Sequence, residues 1–388
     1  MIDFSDYFNP VSIEDSGTQF LCGQASFPHN VHIHTENNPI KDIGRFKVAI
    51  IGVPEGRNSA NPASIKAPDA IRKALYSLAR IPGKLRIIDC GNMKQGVSFN
   101  DSIAGLADVI TALSSENVVP VILGGSSSLI PSIDAAFSRE KFKYDLAAVD
   151  PRICYNHEKK DQQPSPYLNV VLHNGRSTLH HFTNIGYQTF LNDQQVINRF
   201  MKRKYEMIRV GDVRQSISLM EPLMRDSHAI VFNIAAVRQS DAPGTALPSA
   251  NGFYGEEICL LSRYAGLSDS IRTFGLFDVN PDFDIREQTA GIAAQIIWFF
   301  LEGFSQKQFE TPVLKKNSSG RFIWYHVRVT GLEDDLVFVR SSLTERWWME
   351  LSAGTENVYV ACSHEDYMKA NRNEVPERWI KAVERLKN

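Results

Sequence analysis

From residue 47 to about residue 305, short apolar runs alternate along the chain with longer amphipathic segments. The short runs are rich in Val and Ile and apolar at successive positions, which is typical of strands buried on both faces. These runs lie at 47–53, 85–90, 119–123, 145–149, 182–186, 207–210, 229–235 and 272–279. The segments between them have helical character at 67–78, 102–115, 129–137, 193–204, 217–224, 255–265 and 289–302. Repeated strand–helix units predict a three-layer α/β domain with a mostly parallel sheet of about eight strands.

The pattern differs on both sides of this domain, which we assign to residues 46–305. Residues 1–45 are polar and contain three prolines, so we expect an N-terminal arm with little regular structure. Residues 306–388 predict a small C-terminal α+β extension that packs on the main domain. Its expected elements are antiparallel strands at 321–329 and 336–339 and an amphipathic helix at 376–387.

Composition and charge exclude several classes of protein. The formal net charge of −2 and the absence of a polybasic run argue against nucleic acid or an anionic membrane as partner. No apolar run reaches the roughly 20 residues that span a bilayer, and the N-terminus does not resemble a signal peptide. The five cysteines form no Cys-x-x-Cys pair, which argues against a zinc ribbon. We therefore expect a cytoplasmic protein with reduced thiols.

Several stretches resemble, in order, the ureohydrolase superfamily of arginases, agmatinases and formiminoglutamases. They are IIGVPE at 50–55 with KAPDAIR at 66–72, PVILGG at 120–125, APGT at 242–245 and DVNP at 278–281. A further stretch, NIGYQ at 184–188, is closest to the formiminoglutamase branch. The resemblance covers about residues 46–305 and implies an arginase-like fold. It also implies an oligomer, because family members are often trimers or hexamers.

The resemblance implies a specific metal chemistry for the active relatives. Their motifs Gly-Gly-Asp-His-Ser, Asp-Ala-His-x-Asp and Asp-x-Asp supply six ligands to two manganese ions. The carboxylates offset the repulsion between the cations, and the cations together lower the pKa of a bridging water that attacks the substrate. Oxygen ligands with a few imidazoles suit manganese.

This chain departs from that pattern at most ligand positions. Gly-Gly-Asp-His-Ser becomes GGSSS, which places Ser126 and Ser127 at the acid and imidazole positions. The other two motifs become DPRIC and NIA. They leave Asp150 as the retained ligand and put Arg152, Cys154, Asn233 and Ala235 at the other four ligand positions, while Asp278 replaces a substrate-orienting glutamate.

A metal-free pocket is therefore expected, with neither manganese nor another cofactor. One carboxylate compensates a pair of divalent cations poorly, and a guanidinium cannot ligate a metal. We expect the guanidinium of Arg152 to lie in the former metal pocket and to pair with Asp150, because a buried carboxylate without a partner is costly. A further pairing with Asp278 stays open.

Other residues allow alternative chemistries. Cys154 could act as a nucleophile if its pKa were lowered, although we favour a structural thiol. His29, His32 and His34 could bind zinc or nickel, although a polar arm with chance histidines is the simpler interpretation. The histidines at 173, 180 and 181 could reach the pocket or lie in a solvated loop. Ser126, Ser127 and Ser128 could bind phosphate at a helix N-terminus, although helix capping is the simpler role.

The sequence favours a non-catalytic ureohydrolase-like protein that acts as a scaffold, a binding subunit or a small-molecule sensor. Its partner would be an unidentified protein or small molecule. Two alternatives stay open. One is metal-independent chemistry in the same pocket, and the other is a true formiminoglutamase- or agmatinase-type hydrolase of C–N bonds in linear amidines.

Overall fold

The computed structural model describes residues 3–12, 25–156, 165–312, 320–353 and 356–386. The main part of the chain contains, in order, α1 (Phe4–Tyr7), β1 (Phe8–Asn9), β2 (Val31–Ile33), β3 (Val48–Val53), α2 (Ala67–Ser77), β4 (Ile87–Met93), α3 (Phe99–Ser115), β5 (Val119–Gly124), α4 (Pro131–Arg139), β6 (Tyr144–Val149), α5 (Tyr167–His173), β7 (Leu179–Tyr187), α6 (Gln194–Lys202), β8 (Glu206–Arg209), α7 (Val210–Gln215), α8 (Met220–Arg225), β9 (Ala229–Asn233), α9 (Gly255–Gly266), β10 (Thr273–Phe277) and α10 (Gln288–Ser305). The C-terminal part contains β11 (Phe322–Val327), β12 (Leu336–Ser341), β13 (Trp347–Ala353), β14 (Glu356–Cys362), α11 (His364–Asn371) and α12 (Glu377–Leu386).

The central sheet has ten strands in the order β1-β4-β3-β5-β10-β9-β6-β7-β8, and β2 also pairs with β4. Its pairs are parallel except for the antiparallel β1–β4 pair. The predicted α/β fold with a mostly parallel sheet is therefore confirmed. The two further strands come from residues 1–45, so the expectation of little regular structure there is wrong. Strands of two and three residues are too short to give a periodic sequence signal.

Each face of the sheet packs against its own helical layer. One core joins Ile50 and Leu123 to α2, α9 and α10. The other joins Ile51 and Ile122 to α3, α4 and α6. Neighbouring residues of one strand enter opposite cores because successive side chains point to opposite faces. This explains why the predicted strands are apolar at every position.

Two helices of the main domain, α5 and α7, lie outside the predicted set. The predicted helix at 129–137 begins instead with a 3-10 turn at Ser127–Leu129, and α4 starts afterwards with Pro131 in its first turn. Proline is tolerated there because its missing N–H has no partner inside the helix. Residues 161–166, whose composition DQQPSP is typical of a loop, lie mostly outside the described residues.

The C-terminal part forms an antiparallel sheet in the order β11-β12-β13-β14. Trp347 and Trp348 are buried in it, whereas Trp324 is 43% exposed. Arg225 of α8 donates to the carbonyl oxygens of Trp347 and Cys362 at 3.1 and 3.3 Å. Arg378 of α12 pairs with Asp226 at 3.0 Å. Buried polar contacts therefore join this sheet to the main domain.

Among the described residues, no helix has both the length and the apolar character needed to cross a bilayer. The cysteines at 90, 154, 259 and 362 are free thiols, and Cys22 lies outside the described residues.

Candidate functional site

Four neighbouring strands, β5, β10, β9 and β6, bring the predicted site residues together at their carboxyl ends. Ser127 follows β5, Asp278 follows β10, Asn233 ends β9 and Asp150 follows β6. Parallel strands collect such residues at one edge of the sheet, which is where α/β proteins place their ligand sites. The fold therefore brings together residues that lie as far apart in sequence as 127 and 278.

Gly125 sets the turn at the end of β5. A Cβ at this position would lie 2.0 Å from the carbonyl oxygen of Glu55, so a side chain cannot be accommodated there. The turn lets Ser126 accept a hydrogen bond from the main-chain N–H of Ser128 at 3.1 Å. Ser126 therefore caps the turn, which is the role that the sequence favoured for the serine run.

The amide of Asn233 bridges two buried carboxylates. Its Nδ2 donates to Oδ2 of Asp150 at 3.2 Å and to Oδ2 of Asp278 at 2.9 Å. Its Oδ1 accepts the main-chain N–H of Ala235 at 3.0 Å. This last contact fixes the orientation of the amide, because a flipped side chain would oppose one N–H donor to another. The amide hydrogens therefore face the two acids.

Main-chain donors complete the environment of the two carboxylates. Oδ1 of Asp150 accepts the N–H of Arg152 at 2.8 Å, and Oδ1 of Asp278 accepts the N–H of Ser127 at 3.1 Å. Asp278 adopts a φ of 68°, and its own N–H donates to the carbonyl oxygen of Gly125 at 2.9 Å. Aspartate tolerates this left-handed conformation better than most side chains do.

Burial dominates the protonation of this pair. Burial, together with the nearby Asp278 carboxylate, raises the pKa of Asp150 to about 7, against the lowering effect of its hydrogen bonds from Arg152 and Asn233. Burial also raises the pKa of Asp278, against the lowering effect of its hydrogen bonds from Ser127 and Asn233. Two acids that share neutral donors but lack a paired cation hold protons more tightly than acids in water do.

Cys154 contacts the same acid and is not activated. Its Sγ lies 3.6 Å from Oδ2 of Asp150. Burial raises the pKa of the thiol well above its ordinary value, and the Asp150 carboxylate adds to the shift. A thiol in this state is a poor nucleophile, since the thiolate is the reactive form. The geometry favours the structural interpretation of Cys154.

The expected ion pair between Arg152 and Asp150 is not formed. Arg152 binds Asp150 through its main-chain N–H, while Nη1 of its guanidinium lies 3.5 Å from the carbonyl oxygen of Leu247. The hypothesis that this guanidinium fills the place of a cation is therefore wrong. Asn233 and main-chain N–H groups stabilise the acids instead, because the main chain after β6 turns the side chain of residue 152 towards the rim.

A cavity of about 410 Å³ opens above these groups. The predicted residues Ser126, Ser127, Asp150, Arg152, Cys154, Asn233, Ala235 and Asp278 all line it. Sequence reasoning missed other lining residues, notably Asn61, Tyr167 and Asn192. The hydroxyl of Tyr167 is buried and has no hydrogen-bond partner among the described residues. For Tyr167 the sequence signal was weak, because the hydrophobic positions in residues 150–181 have no clear period.

The donor set does not fit two divalent cations. Asn233 presents hydrogens rather than a lone pair to the carboxylates, and Ala235 offers no side-chain donor. Asp150 and Asp278 remain at the strand ends. The described lining residues add the exposed Asp193 at the start of α6 but no imidazole. Across the described part of the chain, no group of three or more His, Cys, Asp or Glu residues is arranged to hold a metal ion.

No histidine is among the described residues that line the cavity, although His173 at the end of α5 stacks on the lining residue Tyr155 with ring centroids 6.2 Å apart. His34 is buried and its Nδ1 contacts the carbonyl oxygen of Cys90 at 2.9 Å, while the ring of His32 packs 5.4 Å from that of Phe46. His180 and His181 belong to the start of β7, at the opposite edge of the sheet from the cavity. For His180 and His181, the suggestion that they reach the pocket or lie in a loop is therefore wrong.

Comparison with known proteins gives matches over the same region of the chain. A sequence model of the arginase family matches residues 46–302. The formimidoylglutamase of Salmonella paratyphi C (strain RKS4594) is 22% identical over 264 residues, which is 65% of this chain and 84% of that protein.

Solved structures show the same architecture at low sequence identity. The formiminoglutamase of Trypanosoma cruzi, crystallised with Mn2+, superposes with a TM-score of 0.63 at 16% identity, over 69% of this chain and 96% of that one. The formimidoylglutamase of Bacillus subtilis gives a TM-score of 0.60 at 20% identity, over 71% of this chain and 97% of that one. At these identities the likeness establishes the fold.

Proposed function

The chain belongs to the arginase family, and from this premise we propose that it has lost the family's two-manganese centre and acts by binding rather than by hydrolysis. The binding site is the cavity at the carboxyl ends of β5, β10, β9 and β6. Its occupant is a small molecule or a segment of a partner protein. The protein is then a sensor, scaffold or binding subunit, and it works as a homo-oligomer in the cytoplasm.

The observation that carries this proposal is the double hydrogen bond of Asn233 to Asp150 and Asp278 at 3.2 and 2.9 Å. In a metal centre, the space between two facing carboxylates holds a cation. Here that space faces an NH2 group, which offers partial positive charge and no lone pair. Since Oδ1 of the amide is held by the N–H of Ala235, reversing the amide to ligate a metal would break that bond.

Electrostatics support the same interpretation. A dinuclear site needs several carboxylates to compensate four positive charges. Asp150 and Asp278 together supply two negative charges at most, and burial raises the pKa of both. The negative charge of these two acids therefore falls short of what a dinuclear site needs.

The experiment is a measurement of bound manganese after loading and desalting, by elemental analysis. We expect much less than one manganese per chain for the natural protein. A stoichiometry near two per chain would overturn the proposal. The matched variant is Ser127→His with Arg152→His, Cys154→Asp, Asn233→Asp and Ala235→Asp, which restores the family's ligand types on the same backbone. It serves as a positive control and is expected to retain manganese.

A second candidate, hydrolysis of C–N bonds in linear amidines, is favoured by the names of the relatives, which are formimidoylglutamases. It is tested by incubating the manganese-loaded protein with formiminoglutamate and with agmatine. We expect no product above the background of heat-inactivated protein. Turnover abolished by Cys154→Ala would indicate metal-independent chemistry. Turnover that depends on manganese would indicate a true family hydrolase.

A further inference from the structure

The edge of the central sheet at the amino ends of the strands, opposite the candidate site, carries a cluster of positive charge. Arg86, Lys47 and Arg272 each stand directly before a strand, namely β4, β3 and β10, and these strands lie close together in the sheet. Lys84 and Lys307 join them around a cavity of about 560 Å³. We call this cavity, with its five basic residues at 47, 84, 86, 272 and 307, the basic cleft.

Most of this charge is not matched by carboxylates. Arg272 pairs with Glu140 at 3.1 Å. Among the described residues, the other four basic side chains form no ion pair within 4.0 Å. Asp269 also lines the cleft, but its Oδ2 contacts Nη1 of Arg346 at 3.4 Å and accepts the N–H of Glu310 at 3.0 Å. The cleft therefore keeps an excess of positive charge.

Lys307 is the most enclosed of the five basic residues. Its Nζ lies 4.4 Å from the ring centre of Phe304 and 5.2 Å from that of Phe309. Burial lowers the pKa of this ammonium to about 8; the carboxylate of Asp269 opposes the shift, and the guanidinium of Arg346 adds to it. Phe309 itself is 73% exposed, so its ring is available to an organic ligand beside the ammonium.

Helix ends explain part of the cluster. Residues at the C-terminal ends of α3 and α10, among them Ser114 and Ser305, line the same cleft. Each helix end carries roughly half a negative charge and favours a cation nearby. Two ends therefore compensate about one of the four unpaired cations, and about three positive charges remain for a ligand.

We propose that the basic cleft binds a small anion that carries a phosphate group. Arginine forms paired hydrogen bonds with phosphate oxygens, and lysine binds phosphate as a point charge, so the mixture of residues suits this ligand. The ligand is free phosphate or a phosphate ester whose organic part packs on Phe309. The cleft lies at the opposite edge of the sheet from the pocket of the proposed function, and the two proposals are independent.

Calorimetric titration of the full chain tests this inference, with inorganic phosphate and adenosine monophosphate as probes at low ionic strength. We expect saturable binding of both probes. Removal of two charges in Lys47→Gln with Arg86→Gln weakens binding about tenfold or more, since a charged hydrogen bond contributes about 1.5–3 kcal/mol. Tighter binding of the nucleotide than of phosphate identifies an ester as the ligand, and equal affinities identify the phosphate group alone.

The matched control is Lys41→Gln with Arg80→Gln. It removes the same charge from exposed positions outside the cleft and is expected to leave the affinity unchanged. An equal loss of affinity in both variants, no saturable binding, or unchanged affinity in the cleft variant overturns the proposal. Thermal melting of each variant without phosphate verifies that the titrated protein is folded.

Discussion

The central sheet carries acidic residues with hydrogen-bond partners at the carboxyl ends of its strands and basic residues without ion-pair partners, among those described, at the amino ends. At the carboxyl edge, Asp150 is buried and Asp278 is partly buried, and an amide and main-chain N–H groups satisfy them. At the amino edge, Lys47 and Arg86 are exposed and unpaired among the described residues. Strands β5 and β10 reach both places, so the difference arises from burial and from the residues that follow or precede each strand.

This contrast shows which charges need a partner inside the protein. A buried carboxylate without hydrogen bonds costs several kcal/mol, so the chain supplies donors at every oxygen it can reach. An exposed lysine or arginine keeps its hydration and costs little. Substitutions at the two edges should therefore have very different effects on stability, although both concern charged clusters at strand ends.

The largest effect is expected from Asn233→Ala, which removes the shared donor of both acids. Two buried carboxylates then lose one hydrogen bond each, and we expect the free energy of unfolding at pH 7 to fall by about 3 kcal/mol. Denaturant titration measures this change. Asn198→Ala on the exposed side of α6 is the control and should change stability little. A loss of unfolding free energy as small as that of the control would show that Asn233 does not stabilise Asp150 and Asp278.

A second effect, which builds up with pH instead of following from one lost contact, is expected from Asp150→Asn. Because burial raises the pKa of Asp150 to about 7, the folded chain keeps a proton that the unfolded chain releases above about pH 4. The natural protein should therefore lose stability relative to the variant between about pH 4 and pH 7, by up to about 1.4 kcal/mol per pH unit.

Above pH 7 this difference should level off, because the acid is then ionised in both states. Chemical denaturation of both proteins across the pH range checks the slope. The isosteric variant at an exposed acid, Asp193→Asn, should lack it. A difference that does not change with pH would mean that Asp150 is already ionised at low pH.

The smallest effect is expected at the amino edge. Arg86→Gln should change the free energy of unfolding by less than about 0.5 kcal/mol, since surface substitutions away from special features have small effects. The same denaturation measurement checks this value. A loss comparable to that of Asn233→Ala would indicate that Arg86 has a structural partner, and the contrast between the two edges would then fail.

Sequence reasoning located the site but not its internal contacts. The motif positions placed Asp150, Asn233 and Asp278 in one pocket, because parallel strands bring their carboxyl ends together. The partner chosen for Asp150 was wrong. Formal charge favoured Arg152 as the partner of Asp150. The turn after β6 instead directs the main-chain N–H of Arg152 to the acid and its guanidinium to the carbonyl oxygen of Leu247. Side-chain direction after a strand depends on local dihedral angles that the sequence pattern does not reveal.

The short strands β1 and β2 and the helix α5 were not predicted, because they too depend on contacts made only in the folded chain. Strands β1 and β2 have two and three residues, and their sequences resemble loops. They are strands because β4 offers a free edge to pair with, and that edge exists only in the folded sheet. Helix α5, which carries Tyr167 into the cavity, likewise depends on packing in a segment without a clear period.

Strand periodicity and motif spacing are local properties of the chain, and they are enough to specify the layered α/β architecture and the residues at the positions of the family's ligands. How those residues compensate one another depends on the assembled fold. The amide of Asn233 stands between two acids that are separated by more than a hundred residues in sequence, and its orientation is set by the N–H of Ala235. Hydrogen-bond direction and burial are properties of the assembled site, and they determine that Asp150 and Asp278 are bridged by an amide rather than by Arg152.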